Sequence, residues 1–218
     1  MNAPAIPGRR RLVRAAAVPL AGRMGLAAVA NVGATAATPA ATPARAATPA
    51  CVDPAEPTPP QTAGPFFTPD SPGRQSLVEP DMPGTRLTLS GLVLATDCRP
   101  VPHALLDFWQ ADSEGRYDNE GYRLRGHLHA DDQGRWRLQT ILPGIYPGRT
   151  RHIHVRVRAE GGPLLTTQLY FPGEVRNRRD RLFSPALLVA VTGPDTAPAA
   201  AGSAASSMAA TFDFVLAG

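Results

Sequence analysis

The sequence predicts an all-β fold, a β-sandwich of short, mostly antiparallel strands with an extended N-terminal arm, and three observations carry that expectation. From Leu87 onward, short stretches alternate apolar and polar residues, the period-two pattern of a half-buried strand. Turn signals separate them at Asp97-Cys98-Arg99-Pro100, Asp131-Asp132-Gln133-Gly134, Pro143-Gly144 and Gly161-Gly162-Pro163. No window between residues 87 and 190 shows a capped 3.6-residue period, so sheet-on-sheet packing is the natural architecture. The chain has 218 residues and is 43% hydrophobic, enough for one good core, so a single domain with appendages is expected.

Residues 1–50 read as an export leader, with a basic start, the apolar runs Ala15 to Leu20 and Gly25 to Val32, and then Ala/Thr/Pro repeats. Gly8-Arg9-Arg10-Arg11-Leu12-Val13-Arg14 resembles a twin-arginine (Tat) export signal, which would carry the protein to a bacterial periplasm or the medium. Arg23 interrupts the apolar run, so a transmembrane helix of about 20 uninterrupted apolar residues is untenable and no stable membrane insertion is expected. A low-complexity arm is the plainer reading of the same composition, and both readings exclude these residues from the fold. Ala34-Thr35-Ala36 and Ala44-Arg45-Ala46 both stand as cleavage sites.

Residues 51–86, rich in Pro, Gly, Asp and Thr, read as an extended arm that wraps the domain. Residues 87–218 form the sandwich, with strands expected at Leu87 to Leu94, Ala104 to Gln110, Arg135 to Ile141, Ile153 to Ala159, Leu165 to Phe171 and Thr211 to Leu216. Residues 175–185 read as a charged loop and 195–210 as an Ala/Ser-rich loop.

The formal net charge of +4 does not point to nucleic acid, because the first fifty residues carry six arginines and no acid, which leaves −2 on the remainder. Lysine is absent, so all 22 basic residues are arginine, a bias of composition rather than of chemistry. Cys51 and Cys98 are the only cysteines; in an oxidising compartment they would form one disulfide, the alternative being two unpaired thiols. Cys51 as a lipid-anchor site is the weaker idea, since Thr48 and Pro49 precede it.

The strongest chemical signal is Arg149-Thr150-Arg151-His152-Ile153-His154-Val155-Arg156-Val157. On a strand, His152 and His154 share one face with Cα atoms about 6.6 to 6.8 Å apart, while Ile153, Val155 and Val157 face the core. Two imidazoles can then converge on a metal, although a polar, solvated strand face would carry the same residues. A competing pair, His127 and His129, runs into a turn signal and reads as the wet end of a strand; His103, beside Pro102, reads as a surface histidine. Tyr146 sits in Pro143-Gly144-Ile145-Tyr146-Pro147-Gly148, a loop defined enough to fix a phenol near the histidine strand. Phenolate is a hard anionic donor that favours Fe(3+) over softer divalent ions, but a lone loop tyrosine more often packs its ring.

Four stretches in order, Trp109-Gln110-Ala111-Asp112-Ser113-Glu114-Gly115-Arg116-Tyr117, Tyr146-Pro147-Gly148-Arg149, His152-Ile153-His154 and Thr167-Gln168-Leu169-Tyr170-Phe171, closely resemble the signatures of the intradiol ring-cleavage dioxygenases. Gln61-Thr62-Ala63-Gly64-Pro65-Phe66-Phe67 resembles the arm before that family's sandwich, so the likeness covers roughly residues 58–173. The resemblance implies that Tyr117, Tyr146, His152 and His154 are ligands of a non-haem Fe(3+), with Tyr146 the one displaced by a catecholate. It further implies that Arg149 stabilises charge on the activated substrate, that Gln168 lies in the pocket beside it, and that Gly64 and Pro65 line the substrate entrance. A small aromatic diol and O2 would be the reactants and a muconate-type diacid the product. Tyr122 rivals Tyr117, which is chosen for its Gly-x-Tyr spacing after Trp109.

The short segment between Tyr146 and His152 and the lack of a long helix before the arm depart from the large intracellular members and resemble compact exported ones. Neither the substrate's substituents nor the oligomeric state carries over, and a homo-oligomer stays open. The rival reading is a non-catalytic transthyretin-like or carbohydrate-binding sandwich, which has no need of Tyr117, Tyr146 and Arg149 beside the two histidines. A sandwich using a divalent metal for hydrolysis lacks a well-placed carboxylate near His152.

Overall fold

In the computed structural model, residues 55–193 and 207–218 are described, and they form nine strands with no α-helix among them. β1 (Arg86–Ala95), β4 (Arg135–Ile141), β7 (Ala190–Gly193), β8 (Ser207–Thr211) and β9 (Phe214–Leu216) make one sheet, in the order β4-β1-β8-β7 with β9 also on β1. The other sheet has the order β3-β2-β5-β6 and contains β2 (Leu105–Trp109), β3 (Arg125–His129), β5 (His152–Arg158) and β6 (Leu165–Tyr170).

Period-two patterning puts Leu106, Phe108, Ile153, Val155, Val157 and Leu169 of the four-stranded sheet against Leu87, Leu89, Val93, Leu138 and Phe214 of the other. Trp136 joins the layers, its ring 5.5 Å from those of Phe108 and Phe214. Each such side chain contributes roughly 1.5–3 kcal/mol on burial.

Two expectations need correction. The closing strand Thr211 to Leu216 is broken in two, because the Asp213 side chain accepts the N–H of Leu92 at 2.7 Å and Phe212 N–H turns back to Ser90 O at 3.0 Å. β8 begins inside the expected Ala/Ser-rich loop, since its small side chains give no alternation to read. Both β8 and β9 pair with β1 in parallel, so the five-stranded sheet is mixed. β3 is the strand at whose wet end His127 and His129 were expected, the short β7 was not among the expected strands, and single 3-10 turns occupy Val175–Arg178 in the charged loop and Pro185–Leu187 at its end.

Residues 55–85 contain no strand but are tied by backbone hydrogen bonds to both sheets. Thr58 N–H reaches Val215 O at 2.9 Å, Gln61 N–H reaches Thr166 O at 2.7 Å and Leu77 N–H reaches Gln139 O at 2.8 Å. The segment covers the outer face of the four-stranded sheet, which explains why β5 is buried on both faces: His152 and His154 are 4% and 2% exposed.

Cys98 occupies a turn at φ 63° and is disulfide-bonded. Cys51 and the leader, with both cleavage sites and the arginine pair, lie outside the described residues. No described helix is long and apolar enough to cross a membrane.

Candidate metal centre

The outer face of the β3-β2-β5-β6 sheet carries the polar residues. Strand register lines up Arg125, Trp109, His154 and Gln168 in one row, and His152 faces Tyr170 in the next. The alternation that sends Ile153 into the core therefore sends both histidines outward, beneath the arm.

The ring of His152 is fixed by a 2.7 Å hydrogen bond between Nδ1 and the carbonyl oxygen of Thr150. A carbonyl only accepts, so Nδ1 carries the proton and the Nε2 lone pair points into the pocket. There it meets the Tyr117 hydroxyl at 3.2 Å. The His154 ring stands 4.8 Å from that of His152 and lies flat on Trp109, with centroids 4.8 Å apart and 7° between planes. Its Nδ1 is buried with no hydrogen-bond partner.

Two tight turns bring the tyrosines to the histidines. Asp112 caps the first by accepting from the N–H groups of Glu114 and Arg116, and its carbonyl accepts from Gly144 N–H at 2.6 Å. Gly115, at φ 85°, lies so close to Ile145 that a Cβ would fall 2.3 Å from its carbonyl oxygen, so only glycine lets the loops touch. The Tyr117 and Tyr146 rings consequently meet edge to face at 5.8 Å. Phe66 of the arm stacks on Tyr117 at 4.4 Å and presents its edge to Tyr146 at 5.2 Å. Tyr122, by contrast, is 38% exposed and donates to Pro69 O, away from this cluster.

Arg149 donates from Nε to Asp180 at 2.8 Å and from Nη2 to Gln168 Oε1 at 2.6 Å and Tyr170 Oη at 3.2 Å. Gln168, fully buried, donates to the carbonyl of Thr62 in the arm at 3.0 Å, and Tyr170 donates toward Gln61 Oε1 at 2.7 Å. Gly64 sits over His154, a Cβ there falling 3.4 Å from ring Cε1, while its neighbour Pro65 is exposed. Asp180 and Asn177, which holds Thr150 Oγ1 at 2.7 Å, have no sequence signal beyond the charged loop; nor had Phe66 and Arg125 been singled out.

His127 and His129 belong elsewhere. His127 Nδ1 contacts Ser71 Oγ at 3.2 Å, which donates to Asp107 at 2.7 Å, and His129 is exposed. His103 pairs with Asp132 at the surface.

Burial depresses the His152 imidazole to about 4, helped by the Arg149 cation, and holds His154 well below its usual range. Both rings are neutral and ready to donate a lone pair at neutral pH. Burial raises the Tyr117 phenol, against the opposing cations Arg149 and Arg125. Tyr117 therefore keeps its proton until a stronger cation displaces it. The Tyr117–His152 contact, the partnerless His154 nitrogen and the mixed phenol/imidazole donor set fit a hard trivalent ion. No cluster of three His, Cys, Asp or Glu side chains among the described residues is placed to hold a metal, so both phenols are essential to this assignment.

Comparison with known proteins identifies the family. A family model described as Dioxygenase matches residues 62–218. The chain is similar to the dioxygenase domain of a dioxygenase carbohydrate-binding protein fusion from Streptomyces sp. SirexAA-E. Identity is 53%, the match covers 74% of this chain and 99% of that one, and the TM-score is 0.67. It is also similar to the structure of 3-chlorocatechol 1,2-dioxygenase from Rhodococcus opacus 1CP, at 28% identity, 71% and 70% coverage and a TM-score of 0.63. Protocatechuate 3,4-dioxygenase beta chain of Burkholderia cepacia is 33% identical over 118 residues, 46% of this chain and 50% of that one. The chain spans about half the length of the curated relatives it matches.

Proposed function

The chain belongs to the intradiol ring-cleavage dioxygenase family, and from that premise we propose that it is a non-haem iron(III) enzyme that opens catechol-type rings with O2, yielding muconate-type diacids. Tyr117, Tyr146, His152 and His154 would hold the ion. The observation that carries the reading is the convergence of Tyr117 Oη and His152 Nε2 at 3.2 Å beside His154, in a buried pocket where both imidazoles are neutral. A non-catalytic sandwich has no use for that set.

Bound there, Fe(III) would supply the Lewis acidity that makes phenols and catechol hydroxyls acidic, and the redox character that lets O2 react with an electron-rich ring. The protein's own residues do the rest. Tyr117 is locked between Phe66 and His152, whereas the Tyr146 hydroxyl has no hydrogen-bond partner among the described residues. Tyr146 would thus be the ligand free to give up its place and, as phenolate, to take a proton from the incoming diol. Arg149, oriented by Asp180 and Gln168, places a permanent cation where charge builds on the substrate. The arm keeps bulk water from the histidines. We also infer export through the arginine pair of the leader, from the composition of residues 1–50.

The test is the visible spectrum of purified, iron-loaded protein. Phenolate-to-iron(III) charge transfer colours it red to burgundy; Tyr146→Phe keeps iron but shifts the band and slows turnover severely, and His152→Ala loses the ion. A colourless protein that takes up no iron overturns the proposal.

A further inference from the structure

Arg125, the first residue of β3, is 1% exposed, and among the described residues no carboxylate forms an ion pair with it. The Asp118 and Asp107 carboxylates act on it only beyond ion-pair distance, so neutral carbonyls must offset much of the cost of burying the guanidinium. What it touches is informative. Nε and Nη2 donate to the carbonyl of Asp118 at 3.1 and 2.5 Å, and Nη1 donates to the carbonyl of Phe66 at 2.5 Å. Asp118 follows Tyr117 in the chain, and Phe66 is the ring stacked on Tyr117 at 4.4 Å and set edge-on to Tyr146. Across the strands Arg125 is paired with Trp109, the ring on which His154 lies.

We propose that Arg125 is a positioning residue of the metal centre: its fork clamps the Tyr117 turn to the Phe66 segment of the arm. One planar, permanently charged group joins two segments 59 residues apart, Phe66 and Arg125 itself, and holds Tyr117 between them. A lysine has the charge but not the fork, and a methionine has neither. This inference rests on the iron(III) reading.

The experiment compares wild type, Arg125→Lys, Arg125→Met and Phe66→Leu, with Arg74→Met as control. Arg74 also donates to backbone carbonyls in this region, those of Tyr122 and Arg125, but it touches neither Asp118 nor Phe66. Iron(III) affinity is read by competition with a chelator, the charge-transfer band by absorbance, and folding by the melting of metal-free protein. Loss of a partner that orients a ligand typically weakens metal binding roughly 10- to 100-fold. Arg125→Met is expected to lose iron affinity in that range and to shift the band. Arg125→Lys should recover part of both, and Phe66→Leu should shift the band while leaving the guanidinium's carbonyl bonds in place. Arg74→Met should lower the melting temperature alone. If wild type binds iron and is coloured while folded Arg125→Met and Phe66→Leu keep its affinity and band, the positioning role is overturned. Should Arg125→Met not fold, an unchanged band and affinity in Arg125→Lys together with Phe66→Leu overturns it equally. A wild type without iron or colour refutes the iron reading instead.

Discussion

Replacing Asp180 by alanine should destabilise the protein by about 3 kcal/mol, the low end for breaking a buried ion pair. The carboxylate is 3% exposed and accepts from Arg149 Nε at 2.8 Å, Thr150 N–H at 2.8 Å and Leu182 N–H at 2.9 Å. Without it, a guanidinium that is itself only 18% exposed and two backbone donors lose their partner. The low end applies because water can still reach part of Arg149. For a domain of this size about 2–4 °C accompanies each kcal/mol, so melting should fall by roughly 6–12 °C. Asp180→Asn keeps an acceptor oxygen and should lose about half as much. The pH dependence provides a second reading. Burial raises the Asp180 carboxyl, but the Thr150 and Leu182 N–H groups and Arg149 outweigh it, leaving the group lowered. Its contribution is present above the unfolded value of about 4 and fades as pH falls through the depressed folded value, so wild type and Asp180→Ala should converge in strong acid. Thermal melts from neutral to acidic pH decide the matter. An Asp180→Ala protein melting within about 2 °C of wild type at pH 7 would refute the argument.

Other consequences can be measured as readily. Gly64→Ala puts a methyl at φ +66° against the His154 ring, so iron affinity should drop while the metal-free protein loses only about 1 kcal/mol; equal iron uptake argues that the arm yields there. His152 is held at about 4 in the folded chain against about 6.5 unfolded, so metal-free protein should lose stability as pH falls from about 6.5 toward 4, by up to about 3 kcal/mol. His152→Gln should flatten that slope, and an unchanged slope assigns it to other groups. Replacing Arg9 and Arg10 with lysine should keep the protein in the cytoplasm, and unaltered export would dispose of the twin-arginine reading.

What could be read from the sequence was local. Alternation in Arg135 to Ile141 located β4 to the residue, and the same period placed His152 and His154 together on the face opposite Ile153. Gly-x-Tyr spacing separated Tyr117 from Tyr122, five positions away, because Gly115 is what lets the turn close. What escaped was long-range. Asp180 meets Arg149 from 31 residues away, and Arg125 meets Phe66 across 59, and neither distance leaves a periodic trace. β8 hid because Ser207, Ala209 and Ala210 are too small to mark a face, and its strand is defined by its neighbours, β1 in parallel on one side and β7 antiparallel on the other.

The arm covering the four-stranded sheet ties two events together. It touches the site through Gly64 over His154, the Thr62 carbonyl on Gln168 and Gln61 on Tyr170, yet the apolar core lies on the opposite side of that sheet. Peeling back these few residues would wet both imidazoles and slacken the Arg149 network at once, with the sandwich beneath still closed. Inactivation and unfolding should therefore be separable events in this protein: it can go blind before it comes apart.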